Sequence, residues 1–348
     1  MIKDRTTFLL LATPLFFLAQ STWALPELQS ASVIQQKQID NISSSGNIAV
    51  AVGNTKNGDA ILVSDNGGSN WVSVAPATTG NELNSVASSG AADGSFVAVG
   101  TQGDVEFSDD GLGKVWNKAT LPAEVSRFDF TSVAYGDHIF AAAASSGNSN
   151  GSRILISTDG GKSWEIGLVV PDQILFSITY ANGEYVAFGD KKIYFTKDLN
   201  TGWSSQDLDF RGDIVLGLTY GNDQYIGVGH GMGYGVIYQS QHGLSWKMTL
   251  DDYPIDWSGI AFGDGTFVAT SKSGHIYLSK DGSIWTDNGA ITDSLSSVYF
   301  SNAKNVFVAV GNDLNGNQKI FESMDGLSWQ SVEISVILGT LRSVTIAD

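Results

Sequence analysis

Short apolar runs recur along this chain, each flanked by polar turns rich in Gly, Asn and Asp. The best-aligned copies are Ala49-Val-Ala-Val-Gly53, Phe96-Val-Ala-Val-Gly100, Phe140-Ala-Ala-Ala-Ala144, Tyr185-Val-Ala-Phe-Gly189, Tyr225-Ile-Gly-Val-Gly229, Phe267-Val-Ala-Thr-Ser271 and Phe307-Val-Ala-Val-Gly311. Such runs suit strands, and apolar side chains at successive positions predict burial on both faces. A related run precedes six of them, as in Ser132-Val-Ala-Tyr135, Ser177-Ile-Thr-Tyr180, Gly217-Leu-Thr-Tyr220 and Gly259-Ile-Ala-Phe262. The links between first and second runs, such as Tyr180-Ala-Asn-Gly-Glu-Tyr185, carry residues that accept positive φ and close tight hairpins. A third, alternating run follows, for example Arg153-Ile-Leu-Ile-Ser157 and His275-Ile-Tyr-Leu-Ser279. A fourth begins at a Trp.

That Trp ends a motif of the form Ser/Thr-x-Asp-Gly-(x)-x-x-Trp. The copies end at Trp71, Trp116, Trp164, Trp203, Trp246, Trp285 and Trp329, with gaps of 45, 48, 39, 43, 39 and 44 residues. A fixed period of about 40–45 residues marks a repeat of roughly four strands per unit. Seven such units predict an all-β fold, a seven-bladed β-propeller of four-stranded antiparallel blades. The ring must close, and two segments compete for the innermost place in the first blade. Ser343-Val-Thr-Ile-Ala-Asp348 repeats the first-strand pattern an eighth time, while Asn41-Ile-Ser-Ser-Ser-Gly46 resembles it too. The C-terminal segment is favoured.

The N-terminus departs from the repeat. Lys3 and Arg5 precede an apolar run from Phe8 to Ala19, and Thr22 and Ala24 suit a cleavage site after Ala24. This is the pattern of a secretory signal peptide. The run is shorter than the roughly 20 residues of a membrane span, and Pro14 interrupts it. Residues 1–24 are therefore read as a signal peptide and 25–348 as one propeller domain, secreted or periplasmic. The absence of Cys rules out disulfides, thiolate metal sites and lipoprotein processing. Packing must hold the fold together.

Asp and Glu outnumber Lys and Arg 36 to 19, a net charge of −17. Such a chain repels nucleic acid and anionic lipid. Neither nucleic acid nor a membrane span of the mature chain is expected, and a monomer is.

Ser157-Thr-Asp-Gly-Gly-Lys-Ser-Trp164 closely resembles the Asp box, or BNR repeat, of sialidases and related propellers. Ser64–Trp71 matches it with Asn66 for Asp, Ser279–Trp285 and Ser323–Trp329 are one residue shorter, and Ser240–Trp246 carries His242 in place of Asp. The resemblance implies the propeller fold more than any one activity. The short Asp can accept backbone N–H groups, Gly supplies conformational freedom, and Trp fills the space between blades. A second resemblance is to the Ycf48/HCF136-type photosystem assembly propellers, which are exported and act by binding partners; their basic patch has no counterpart here.

A sialidase needs three Arg, a Tyr nucleophile and acid/base carboxylates. Arg127, Arg211 and Arg342 each precede a first strand and could share a face, but no Tyr/Glu pair accompanies them and the Arg-Ile-Pro signature of that family is missing. The four His show no metal-ligand spacing. Asn312-Asp-Leu-Asn-Gly-Asn317 resembles a calcium loop but lacks the distal Glu, and a hairpin is expected instead. No catalytic residue, cofactor or metal site is assigned.

The loops before the first strands carry Glu82, Asp129, Asp213, Asp256 and Asp293 at nearly equivalent positions, with Phe130, Phe176 and Trp257 beside them. A carboxylate ring with aromatic edges is the expected binding site. Its ligand would be a cationic peptide, a protein or a metal ion; solvated turns are the plainer reading. The functional expectation is an exported, non-catalytic binding or scaffold propeller, its partner a protein, peptide or glycan. The alternative is a sialidase-like or other glycoside hydrolase, which would place two carboxylates across the channel.

Overall fold

The structure, a computed structural model, describes residues 48–90, 94–147, 151–199, 202–208, 213–231, 233–250, 255–334 and 339–347. The segment 1–47, with its proposed leader and the competing strand Asn41–Gly46, lies outside them, as do Arg211 and Asp348.

The chain forms seven four-stranded antiparallel sheets, the blades of a propeller. Blades 2 to 7 take their strands consecutively; blade 3, for instance, runs Asp129–Gly136, Ile139–Ser145, Ser152–Ser157 and Glu165–Val170. Blade 1 does not. Its second strand, Ala49–Thr55, pairs on one side with Gly58–Ser64 and on the other with the C-terminal strand Gly339–Ile346, Ala51 opposite Val344. The C-terminal strand thus takes the inner position. Sharing a blade between the two ends of the chain removes the open edge that an unclosed ring would expose. The inner strands of neighbouring blades touch all around the channel, including Gly339–Ile346 with both Leu83–Ser88 and Ser294–Ser301.

The core is divided among seven seams between blades. In the second strand of blade 1, Ala49 and Ala51 face blade 7, while Val50 and Val52 face blade 2. Side chains alternate across a strand, so a strand packed between two blades must be apolar at every position. The Trp motif seals each seam. Trp164 of blade 3 packs with Val97 and Val99 of blade 2, and Trp116 of blade 2 with Val50 and Val63 of blade 1.

Hydrogen bonds inside the motif show how. Asp159 Oδ1 accepts from Ser157 Oγ at 2.9 Å and from the Ser163 amide at 2.9 Å, and Trp164 Nε1 donates to the Gly161 carbonyl at 3.0 Å. The same indole-to-glycine bond recurs at Trp116, Trp246, Trp285 and Trp329. Gly161 has φ 89° and a Cβ there would lie 2.2 Å from Val97 of the preceding blade, so the turn can approach only without a side chain.

Candidate functional site

The antiparallel order sorts the loops onto two faces. Every inner strand starts on one face, beside the connections between blades and the turns from second to third strand. Every inner strand ends on the other, beside the first hairpin of its blade and the Trp-motif turn.

The sequence-derived carboxylates lie on the first face, and most are committed to the fold. Glu82 Oε2 sits 2.6 Å from Nη2 of Arg342, and its other oxygen accepts from Asn54 at 3.0 Å. Arg342 is 7% exposed and donates also to Asn84 Oδ1. It therefore pairs with Glu82 inside the protein rather than waiting for a substrate carboxylate. Asp129 accepts from the Gln102 amide and Asp293 from the Leu314 amide, both at 2.9 Å, each pinning a neighbouring turn. Asp213 is buried and takes the hydroxyls of Tyr234 and Tyr238, at 3.3 and 3.0 Å. Asp256 is exposed, with His230 Nδ1 4.0 Å away.

The aromatic edges expected beside this ring are not there. Trp257 has no exposed surface and stacks in the seam between blades 5 and 6, its ring 4.8 Å from Tyr277 and 5.5 Å from Trp285. Phe130 and Phe176 are buried as well. Each lies within or at the start of an inner strand, and Trp257 and Phe130 turn into the seams. Asn312–Asn317 forms the expected hairpin: Asp313 caps it by accepting the Asn315 and Asn317 amides, and Asn312 pairs with Gln318.

The opposite face holds the open mouth of the channel. A cavity of about 310 Å³ is bounded by the ends of six inner strands, with Tyr135, Tyr180, Tyr220, Phe262, Tyr299 and Phe300 among its walls. All but Phe300 are partly exposed. Five of the rings stand against the first aromatic of the next strand, in Tyr135–Phe140, Tyr180–Tyr185, Tyr220–Tyr225, Phe262–Phe267 and Phe300–Phe307, at 4.5–4.8 Å between centroids. Blade-to-blade approach is just as close. A Cβ on Gly136, Gly221 or Gly263 would fall 2.0–2.1 Å from the ring of Tyr180, Phe262 or Phe300. The rings of Tyr180, Phe262 and Phe300 are thus clamped between their own blade and the glycine of the blade before.

Acidic tips surround this mouth. Asp137, Asp223 and Asp264 sit at the ends of the first hairpins of blades 3, 5 and 6, exposed and with φ of 44°, 58° and 46°. Burial, with Asp137 close by, pushes the Tyr135 hydroxyl above its ordinary range. Site assignment from the sequence passed over this mouth, although the signal was present: an aromatic ends the first run of five blades, followed in three of them by Gly and then Asn or Asp.

Compared with known proteins, the chain matches no family model and no curated protein. Solved structures do match. A structure of YCF48 bound to D1 peptide is 17% identical, with a TM-score of 0.56, covering 84% of this chain and 88% of that one. YCF48 from Cyanidioschyzon merolae is 15% identical, with a TM-score of 0.52, over 76% of this chain and 94% of the other. A putative 6-phosphogluconolactonase from Bacteroides fragilis is 11% identical, with a TM-score of 0.61, over 88% and 100%. At such identities the shared property is the fold, and the same propeller occurs both in a peptide-bound protein and in a putative enzyme.

Proposed function

We propose that this chain is an exported, non-catalytic propeller that holds a cationic segment of a partner protein or peptide at the aromatic mouth of its channel. The observation that carries this reading is the ring of partly exposed Tyr and Phe side chains under the carboxylates of Asp137, Asp223 and Asp264. Aromatic faces attract Lys and Arg by cation–π interaction, more strongly where water is thinned out. The acidic tips and the net charge of −17 add long-range attraction of the same sign. A propeller of this fold has been solved with a peptide bound, which lends the reading a precedent. Export rests on residues 1–24. The hydrolase alternative draws less support, because Arg342 and Glu82 neutralise each other and Asp213 is enclosed by tyrosines.

The test is titration of the mature full chain with short Lys- and Arg-rich peptides, beside an assay on a glycan panel. The expected result is saturable binding of basic peptides that weakens as salt rises, since exposed charges are screened within about 8–10 Å at physiological ionic strength. Changing Asp137, Asp223 and Asp264 together to Asn should lower affinity without loss of fold, because Asn tolerates positive φ well. Turnover of a glycoside, or affinity untouched by the triple change, would overturn the reading.

A further inference from the structure

On the first face, beneath the connection from blade 1 to blade 2, three further carboxylates meet at the seam between these blades. Asp59 belongs to the third strand of blade 1, Gly58–Ser64; Asp104 and Glu106 lie at the same place in blade 2, around the strand Val105–Ser108. One oxygen from each lies within 4.8 Å of the others. Asp104 and Glu106 have no exposed surface at all. The segment joining the two blades covers them. Glu106 accepts the amides of Ala77 and Thr78, at 2.9 and 2.6 Å, and Asn81 Nδ2 reaches Asp104 Oδ2 at 3.4 Å. Backbone contact sets this cover in place: a Cβ on Gly58 would meet the Gly80 nitrogen at 2.5 Å.

Hydrogen bonding does not neutralise the cluster. The Thr78 hydroxyl lies 2.5 Å from Asp104 Oδ2 and 2.9 Å from Glu106 Oε1. It has one proton, so it can donate to one of them at a time. Asp104 Oδ1 and both oxygens of Asp59 are buried with no hydrogen-bond partner. Among the described residues no Lys, Arg or His forms an ion pair with any of the three. Buried charges normally need a partner of opposite sign. Burial first, then repulsion from Asp104 and Glu106, pushes Asp59 up to about 7.

We propose that Asp59, Asp104 and Glu106 bind a hard divalent cation of the calcium class, which ties blade 1 to blade 2. All donors are oxygens, with Thr78 Oγ1 at hand as a neutral ligand, and neither thiolate nor imidazole takes part. Such a set suits Ca²⁺ or Mg²⁺. The spread fits as well: oxygens held about 2.4 Å from one ion lie at most about 4.8 Å apart. Blade 1 is the blade that closes the ring, so a cation there would brace the seam next to the closure.

The test uses the mature full chain, stripped with a chelator and titrated with Ca²⁺ and, separately, with Mg²⁺, by calorimetry and by thermal melting. One site per chain, a melting temperature that rises with the cation and falls again with chelator, and at least a tenfold loss of affinity in Asp104→Asn are expected. Should that buried change prevent folding, Asp59→Asn at the less buried edge should show the same loss. Asp313→Asn, in the hairpin that resembles a calcium loop, should keep wild-type affinity. No binding of either cation to the wild-type chain at millimolar concentration would overturn the proposal. So would binding abolished by Asp313→Asn and kept by Asp59→Asn.

Discussion

Two of the seven motif tryptophans provide an internal control for the indole hydrogen bond. Trp164 and Trp71 occupy equivalent places in their seams and are 6% and 3% exposed. Replacing either by Phe removes a similar area from a similar packing site, so that contribution cancels between them. The ring nitrogens differ. Trp164 Nε1 donates to the Gly161 carbonyl at 3.0 Å, whereas Trp71 Nε1 is buried without a partner. Trp164→Phe leaves a buried carbonyl unsatisfied, at a cost of about 1–3 kcal/mol. Trp71→Phe removes an unsatisfied donor, a change that favours the folded state by a comparable amount. Trp164→Phe should therefore be less stable than Trp71→Phe by about 2 kcal/mol or more. Urea unfolding followed by far-UV circular dichroism would show this as a lower midpoint at unchanged slope. A second pair provides a repeat, since Trp116 Nε1 donates at 2.7 Å and Trp203 Nε1 has no partner. If Trp71→Phe proves as destabilising as Trp164→Phe, the indole bond does not hold the turn and ring packing alone does.

Asp159→Ala should cost about 1–2 kcal/mol, the range for losing a capping side chain, and leave basic-peptide affinity unchanged; a binding defect at full stability would give the motif a functional role. Removing residues 339–348 should strip the Ala49–Thr55 strand of its inner partner and lower the melting temperature or drive association through the bared edge; an unchanged monomeric melt would show that another segment fills the position. Acid should loosen the turns as well. Asp110, Asp159, Asp281 and Asp325 are held below the ordinary aspartate value of 3.8 by hydrogen bonds from their own turns, against some opposing burial. Groups depressed in the folded state contribute stability above their unfolded value and lose it as pH falls through the folded one. Stability should thus decline below about pH 4, and changing all four to Asn should flatten that decline as measured by urea midpoints.

Repetition made the architecture legible. Seven apolar second strands, seven motif tryptophans and an eighth copy of the first-strand pattern at Ser343 demanded a closed ring, and pairing of Ala51 with Val344 closes it. The site was less legible. Glu82 looked like a rim carboxylate because its local sequence is a polar loop, yet Arg342, 260 residues away in the chain, lies 2.6 Å from it. Trp257 looked like a rim aromatic because it follows Asp256, yet strand alternation turns it into a seam.

What the sequence determined by itself is everything that depends on local pattern: strand length, turn chemistry, the number of blades and the role of the motif Asp and Trp. These follow from backbone sterics and from apolar periodicity, both of which act within a few residues. What only the tertiary structure decided is which charges meet. Asp59 meets Asp104 and Glu106 across a seam, Arg342 neutralises Glu82 across the ring closure, and the strand-end aromatics of five blades gather around one mouth. Electrostatic and aromatic contacts depend on distance in space, and in a ring the neighbours in space can lie at opposite ends of the chain.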